Sequence, residues 1–184
     1  MTVYTGLVTL VQLSACVLGD KNKMSYDAGI SYIRNVLEAT RTLQKNPDDL
    51  DARGIIMLGA SLSTSSRIGI GKEEPFAYDI YELEFLPEKL FGSTYRRSLT
   101  SIFPRFLAAM GRHHAAEVEK YCRDAFGFGS SIEESSRKLI ELFSGFGAEM
   151  YFDGKISREQ VDSIPCRTEL TPNEVFELMN SLIR

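Results

Sequence analysis

The stretch that decides the fold is NPDDLDARGIIMLGASL, residues 46–62. Its first four residues interrupt the preceding chain. Asp48 and Asp49 suit the start of a helix, because unpaired N–H groups and the helix dipole favour negative charge there. The apolar residues of this helix are Ile55, Ile56, Leu58 and Leu62. The small residues that follow, 59–66, allow another helix to approach closely, so the stretch predicts a closely packed helix.

Two further helices are predicted on the N-terminal side. After Lys23, apolar residues recur at three-four spacing, which places one stripe against a core. The stripe consists of Ile30, Ile33, Val36, Leu37, Thr40 and Leu43. Val3 to Leu18 carries no charge, but it is shorter than the roughly 20 apolar residues that span a bilayer. We therefore expect a buried first helix and no membrane partner.

On the C-terminal side, Gly69 to Lys72 is predicted to be a loop. Pro75 suits the first turn of a helix, where its missing N–H has no consequence. This helix is expected to run to about Lys89, with a possible interruption at Pro87. Residues 95–110 form the next predicted helix, in which Pro104 is expected to introduce a kink.

The later helix boundaries carry capping signals. Ser131 to Glu134 has the pattern of a capping box, and Thr171 to Glu174 places Pro at the first helical position. The second signal predicts a final helix through Leu182. Between them we expect a turn at Asp153-Gly154 and a short helix over 157–164. Seven to nine helices without a confident strand predict one all-α domain over residues 1–184.

Composition excludes several classes of protein. The net charge of −4 and the lack of a Lys/Arg run argue against a nucleic-acid partner. Three cysteines, Cys16, Cys122 and Cys166, are too widely spaced for a Cys-x-x-Cys site, and their number is odd. We therefore expect reduced thiols and a cytoplasmic protein.

Familiar nucleotide and metal motifs are absent or incomplete. Gly71-Lys72 resembles the end of a phosphate-binding P-loop, but Ser66 and Glu73 stand where that motif needs Gly and Ser or Thr. No Gly-x-Gly-x-x-Gly is present. His113 and His114 would point about 100° apart on a helix, so we interpret them as polar residues at a helix start rather than as ligands of one metal.

An acidic segment is the remaining candidate for chemistry. Asp79 and Glu82 are three residues apart and would share a helix face, a geometry that suits a hard cation or acid–base work. Further acidic residues nearby are Glu73, Glu74, Glu84 and Glu88. The alternative interpretation is a solvated acidic helix.

Residues 46–62 together with Gly69–Lys72, 76–84 and 170–175 resemble the C-terminal helical domain of iron-containing alcohol dehydrogenases, within the dehydroquinate synthase-like superfamily. The butanol dehydrogenase-like branch is the most similar. In that family an N-terminal domain binds NAD(P), and the helical domain supplies an Asp and three His to iron or zinc.

The resemblance implies that most of the metal ligands are missing. The first helix should carry Asp-x-x-x-His, but Val3 to Leu18 contains neither residue type. The third ligand falls on Asp79, and the fourth, a His before Gly, falls on Ser93 followed by Thr94. We therefore expect a degenerate metal site, with Asp79 as the one possible ligand and no resident cofactor.

Two functions remain open from the sequence. The first is a truncated relative without catalytic activity of its own, which forms a homo-oligomer or binds a partner protein through its uncharged first helix. The second is a metal-domain subunit of an NAD(P)-dependent alcohol or aldehyde oxidoreductase, completed by a separate nucleotide-binding chain. We favour the first function, in which this chain alone is not an enzyme.

Overall fold

A computed structural model of the protein describes residues 2–65, 67–72, 76–129 and 131–184. Within these ranges it contains ten α-helices and no β-strand, so the predicted all-α fold is confirmed. The helices are α1 (Thr2–Val17), α2 (Lys23–Lys45), α3 (Leu50–Ser63), α4 (Asp79–Leu83), α5 (Phe85–Phe91), α6 (Tyr95–Met110), α7 (Ala115–Phe126), α8 (Ile132–Gly145), α9 (Arg158–Asp162) and α10 (Pro172–Asn180).

The uncharged helix α1 lies in the centre of the molecule. It packs against α2, α3 and α6. Its fully buried apolar side chains are Leu7, Leu10, Val11, Leu13 and Val17. The expected burial of this helix is confirmed. The protein's own helices already cover the apolar side chains of α1, so these side chains are not exposed for the partner contact expected through this helix.

None of the described helices combines the length and the apolar character that a membrane crossing requires.

Helices α2 and α3 both begin at capped positions. The Asn22 side chain accepts a hydrogen bond from the Ser25 N–H at 3.0 Å, and the Asp49 side chain accepts one from the Ala52 N–H at 2.9 Å. The whole apolar stripe predicted for α2 is buried. The acidic break before α3 therefore acts as expected: it ends one helix and caps the next.

Helix α3 has one buried and one exposed face. Ala52, Ile56 and Gly59 are buried, whereas Met57 and Leu58 are 73% and 60% exposed. A Cβ atom on Gly59 would lie 2.7 Å from a methyl group of Val36 on α2 and 3.1 Å from one of Thr9 on α1. The close approach predicted from the small residues is therefore confirmed at Gly59. Ser66, the last of those residues, lies outside the described ranges.

The segment after the loop forms two short helices instead of one. A 3₁₀ turn covers Phe76–Tyr78, and the break between α4 and α5 falls at Glu84 rather than at Pro87. Pro87 is the third residue of α5, where a backbone N–H would have no helical partner in any case. Pro75, the predicted first residue, lies outside the described ranges, as do Glu73 and Glu74.

The helix predicted over 95–110 has the observed bounds of α6, with Pro104 inside it. Thr171 and Glu174 form the complete capping box of α10, which ends at Asn180, two residues before the predicted end. A second capping box opens α9.

The capping box predicted before α8 is only half formed among the described residues. The Ser131 side chain accepts a hydrogen bond from the Glu134 N–H at 3.2 Å, but the Glu134 carboxylate pairs with Lys138 at 2.9 Å.

Two glycines of α3 provide a test of this packing. Gly59→Ala should lower the free energy of unfolding by about 1–2 kcal/mol, because the new methyl group would displace Val36 and Thr9. Gly54→Ala is the matched control. Nothing lies within 4 Å of its Cβ position, so helix propensity should raise stability by up to about 1 kcal/mol. Urea unfolding followed by circular dichroism measures both, and equal effects of the two substitutions would contradict the packing described for α3.

Candidate functional site

Polar side chains converge beside the C-terminal half of α1, where it meets the 67–72 loop, the 3₁₀ turn, α4 and the start of α6. We call this group the polar cluster. Its members are Gln12, Cys16, Ser63, Lys72, Tyr78, Tyr81, Glu84 and Tyr95. Several of their pKa values are displaced by burial and by one another, a property that marks candidate functional sites.

Lys72 caps the end of α1. Its ammonium group donates a hydrogen bond to the Ala15 carbonyl oxygen and lies 4.1 Å from the centre of the Tyr78 ring. Burial lowers the pKa of Lys72 to about 8, although Cys16 and Asp20 act in the opposite direction. A cation is favoured at this position because the last carbonyl groups of a helix carry partial negative charge.

Cys16 lies next to this ammonium group. Its thiol donates a hydrogen bond to the Ser63 carbonyl oxygen at 3.3 Å. Burial raises the pKa of the Cys16 thiol, and this outweighs the opposing effects of Lys72 and Tyr78. Because the thiolate is the nucleophilic form, Cys16 is poorly suited to nucleophilic catalysis.

Gln12 stands one helical turn before Cys16 on α1. Its amide group donates to the Tyr95 hydroxyl at 3.3 Å, and its carbonyl oxygen accepts a bond from the Ser63 hydroxyl at 3.4 Å. Both ends of the amide are therefore occupied by neighbours on α3 and α6.

Glu84 is the buried acid of the cluster. The residue is 3% exposed, and its Oε2 atom has no hydrogen-bond partner among the described residues. Burial, reinforced by the neighbouring Glu88, raises the pKa of Glu84 to about 7. This value suits a group that gives or takes a proton near neutral pH.

Asp79 and Ser93, the two positions taken from the resemblance, contact different parts of the chain. The Asp79 carboxylate accepts a hydrogen bond from the Glu169 N–H at 2.8 Å, and so holds the segment before α10. Together with Glu82 it faces Cys166, and burial followed by these two charges raises the pKa of that thiol to about 11. The Ser93 hydroxyl contacts only the adjacent Thr94 carbonyl oxygen, at 3.4 Å, among the described residues.

Comparison with solved structures identifies the fold. The NADH-dependent butanol dehydrogenase A of Thermotoga maritima matches all of this chain over 52% of its own length, with a TM-score of 0.82 and 18% identity. The iron-containing alcohol dehydrogenase of Corynebacterium glutamicum matches all of the chain over 52% of its own, with a TM-score of 0.65 and 15% identity. The aldehyde reductase YqhD of E. coli matches 82% of the chain over 41% of its own, with a TM-score of 0.68 and 16% identity.

The chain has the fold of the helical C-terminal half of iron-containing alcohol dehydrogenases. It spans about half the length of these structures, and at such low identity the likeness shows the fold alone. No sequence-family model matches the chain, and comparison with curated protein sequences finds no match.

The residues present do not fit the iron or zinc that the alcohol dehydrogenase fold implies. Among the described residues, no three His, Cys, Asp or Glu side chains lie close enough together to hold a metal ion. On α1, Gln12 and Cys16 are engaged with α3 and α6, and the nearby cation is Lys72. Asp79 already accepts a backbone hydrogen bond. Among the described residues, the donor set that a four-coordinate site requires is therefore not brought together.

The two histidines lie apart from the polar cluster, at the turn between α6 and α7. The Nε2 atom of His113 lies 2.9 Å from a Glu174 oxygen, and that of His114 lies 2.5 Å from a Glu169 oxygen. His114 also stacks on Phe76, with ring centres 3.9 Å apart. The interpretation of this pair as polar residues at a helix start is confirmed, since His114 immediately precedes α7.

The polar cluster was not predicted from the sequence. Gln12 and Cys16 are four residues apart on an uncharged helix, and this spacing indicates a shared polar face. The sequence could therefore have predicted a polar face on α1. The contribution of Lys72, Tyr78 and Tyr95 depends on how the 67–72 loop folds back onto α1, and no local pattern encodes this contact.

Glu84 gives a pH-dependent test. Since its folded pKa lies above that of the unfolded chain, folding favours its protonated form. Its ionisation therefore destabilises the protein as pH rises from about 4.5 through 7. Glu84→Gln should raise the free energy of unfolding by about 1–3 kcal/mol at pH 8 and have little effect at pH 4. Denaturant unfolding at both pH values measures this. The exposed Glu82→Gln is the control, and an equal gain there would contradict the effect of burial.

Glu174 gives a test of opposite sign. Hydrogen bonds from the Thr171 backbone and side chain, with a smaller contribution from His113, lower the pKa of Glu174 to about 2. Its contribution to stability is therefore present above about pH 4.5 and is lost as pH falls towards 2. Glu174→Gln should cost about 1 kcal/mol at pH 7 and nothing near pH 2. Thermal unfolding across this range measures the difference, with the exposed Glu177→Gln as control. A pH-independent cost would contradict the account.

Proposed function

We propose that this chain is a non-catalytic relative of the iron-containing alcohol dehydrogenases, a helical domain that binds protein instead of transferring hydride. The observation that carries this proposal is the position of Lys72. In the dehydrogenases that this chain resembles, the first helix of the helical domain supplies two of the metal ligands. Here the Lys72 ammonium group caps the corresponding helix, α1, and contacts the Ala15 carbonyl.

A positive charge beside the ligand helix opposes a divalent cation. At an effective dielectric constant near 20, two like unit charges 4 Å apart repel by about 4 kcal/mol, and a doubly charged ion roughly doubles this. The amide of Gln12 and the protonated thiol of Cys16 offer little to offset that repulsion or the dehydration of the ion.

The fold comparison supports the same proposal. The match covers the helical half of the dehydrogenase structures, the half that supplies the metal ligands in the family that the chain resembles. The buried α1 does not provide the contact, so the exposed face of α3 is the surface that we assign to it.

The second candidate function is a metal-domain subunit that works with a separate NAD(P)-binding chain. Glu84 is the observation that favours it, because a buried carboxyl group with a pKa of about 7 suits a proton relay. In this alternative Asp79 would hold iron or zinc in a rearranged site.

We place the domain in the cytoplasm, as a proposal that rests on its free thiols. Cys16, Cys122 and Cys166 form no disulfide with one another.

Elemental analysis of the protein, purified without added metal or chelator, separates the two functions. We expect less than about 0.1 iron or zinc per chain, because the donor set is incomplete. Asp79→Ala should leave this content unchanged and lower stability by about 1 kcal/mol through the lost bond to the Glu169 N–H.

Asp51→Ala, at an exposed position of α3, is the control for handling and expression. Near-stoichiometric metal that disappears in Asp79→Ala but persists in Asp51→Ala would overturn the non-catalytic proposal in favour of the second function.

A further inference from the structure

A cleft between α6, α8 and α10 shares no residue with the polar cluster. Its volume is about 330 Å³, at the lower end of the range for small-molecule pockets. Its polar lining includes Arg105, Ser136 and Tyr151. Its apolar lining consists of Ala108, Ala109, Ile140 and Leu178. The cleft therefore combines a few polar groups with short aliphatic walls, a composition typical of sites for small molecules.

Arg105 is a buried cation in this cleft. The residue is only 7% exposed. Its Nε atom donates to the Ser181 carbonyl oxygen at 3.1 Å, and its Nη1 atom donates to the Ser101 carbonyl oxygen at 2.8 Å. Its guanidinium carbon also lies 4.7 Å from the centre of the Tyr151 ring. Among the described residues no carboxylate pairs with Arg105, although buried charges in proteins are usually paired.

Ser136 on α8 adds a hydroxyl group without a partner. The residue is 7% exposed and lines the same cleft. A serine near the end of a helical turn commonly bonds a carbonyl oxygen of the preceding turn, and the Ser181 hydroxyl does so, at 2.6 Å from the Leu178 carbonyl oxygen. The Ser136 hydroxyl makes no hydrogen bond to any described residue. Because buried polar groups are nearly always paired, this hydroxyl indicates an acceptor from outside the chain.

The capping of α10 by Arg105 explains only part of this arrangement. The Ser181 carbonyl oxygen lies at the C-terminal end of α10, where partial negative charge favours a cation. This contact and the bond to Ser101 use two of the five N–H donors of the guanidinium. The Ser136 hydroxyl has no part in the cap. An acceptor with two oxygens in one plane can bond both the guanidinium and a hydroxyl.

The charges at the mouth of the cleft limit the charge of the ligand. Arg112 lies 2.9 Å from Glu177 and 3.9 Å from Glu174, so its charge is already engaged within the chain. Glu133 is exposed and forms no ion pair with any described residue. Among the described residues that line the cleft, Arg105 is therefore the one cation outside an ion pair. A single free cation beside these glutamates suits a singly charged carboxylate better than a doubly charged phosphate.

We propose that this cleft binds a small aliphatic carboxylic acid in its ionised form. Arg105 and the Ser136 hydroxyl hold the carboxylate, and the hydrocarbon part lies between Ala109, Ile140 and Leu178. The planar guanidinium matches a carboxylate in shape as well as in charge, and the hydroxyl donates a further hydrogen bond. The site is separate from the exposed face of α3, so it neither requires nor excludes the proposed function.

Isovalerate is the probe for this site, and isovaleramide, which has the same shape without the charge, is the control ligand. Titration of the 184-residue chain, followed by the amide shifts of the cleft residues in heteronuclear NMR spectra, measures the affinity. We expect saturable binding of isovalerate with a Kd on the order of 1 mM. Isovaleramide should bind at least about tenfold more weakly, because it lacks the charge that Arg105 recognises. Inorganic phosphate should also bind more weakly than isovalerate.

Two substitutions test the polar contacts. Arg105→Lys should weaken isovalerate binding about tenfold, because lysine keeps the charge but loses the planar fork. Ser136→Ala should weaken it several-fold without lowering the free energy of unfolding, because the lost hydroxyl has no partner within the chain. Ser135→Ala is the matched control, since Ser135 is 1% exposed on the same helix but does not line the cleft. It should bind isovalerate as the wild type does.

Glu133→Gln gives a test of opposite sign. Loss of a negative charge at the mouth should tighten isovalerate binding about two- to fivefold at low salt. Circular dichroism shows whether each variant is folded, and Ser136→Ala and Glu133→Gln decide the matter if Arg105→Lys is not.

Several results would overturn the proposal. One is the lack of saturable isovalerate binding up to about 20 mM. Others are equal affinity for isovaleramide, tighter binding of phosphate, a Ser136→Ala variant indistinguishable from Ser135→Ala, or weaker binding by Glu133→Gln.

Discussion

The structure depends on the close contact of three helices around an uncharged centre. Gly6 of α1 leaves room for Thr40 of α2, and Gly59 of α3 leaves room for Val36 of α2 and Thr9 of α1. At both positions a Cβ atom would come within 3 Å of a neighbouring side chain. The absence of side chains lets the helix axes approach, and the large apolar residues of α1 then fill the remaining space. The later helices complete this enclosure.

Much of the fold could be predicted because its signals are local. The caps at Asp49, Thr171 and Ser157, and the three-four stripe of α2, each depend on a few neighbouring residues. The α4–α5 break at Glu84 could not be predicted in this way. Pro87 was the visible helix breaker, yet it lies in a first turn, where proline is tolerated. The sequence also could not predict which face of α3 is buried, since apolar residues occur on both faces and only packing decides between them.

The candidate site was less predictable than the fold. Asp79 and Ser93 are candidate positions only through the family resemblance. In the structure Asp79 accepts a hydrogen bond from the Glu169 N–H, and the Ser93 hydroxyl contacts the Thr94 carbonyl oxygen. The polar cluster was missed because it joins residues as far apart as Gln12 and Tyr95. Within it, hydrogen bonds between neutral groups and a lysine cap occupy the space next to α1. Such a network stabilises the packing of α1 against its neighbours.

The central position of α1 also matters while the chain is being synthesised. This helix leaves the ribosome before the helices that cover it, and it makes contacts with α6, Tyr95–Met110. Until that segment has emerged, an uncharged apolar helix without its full set of partners is exposed to other nascent chains. The period of greatest aggregation risk therefore falls between the synthesis of α1 and that of α6. A pause in synthesis before α6 would lengthen it, and a chaperone that holds short apolar helices would relieve it.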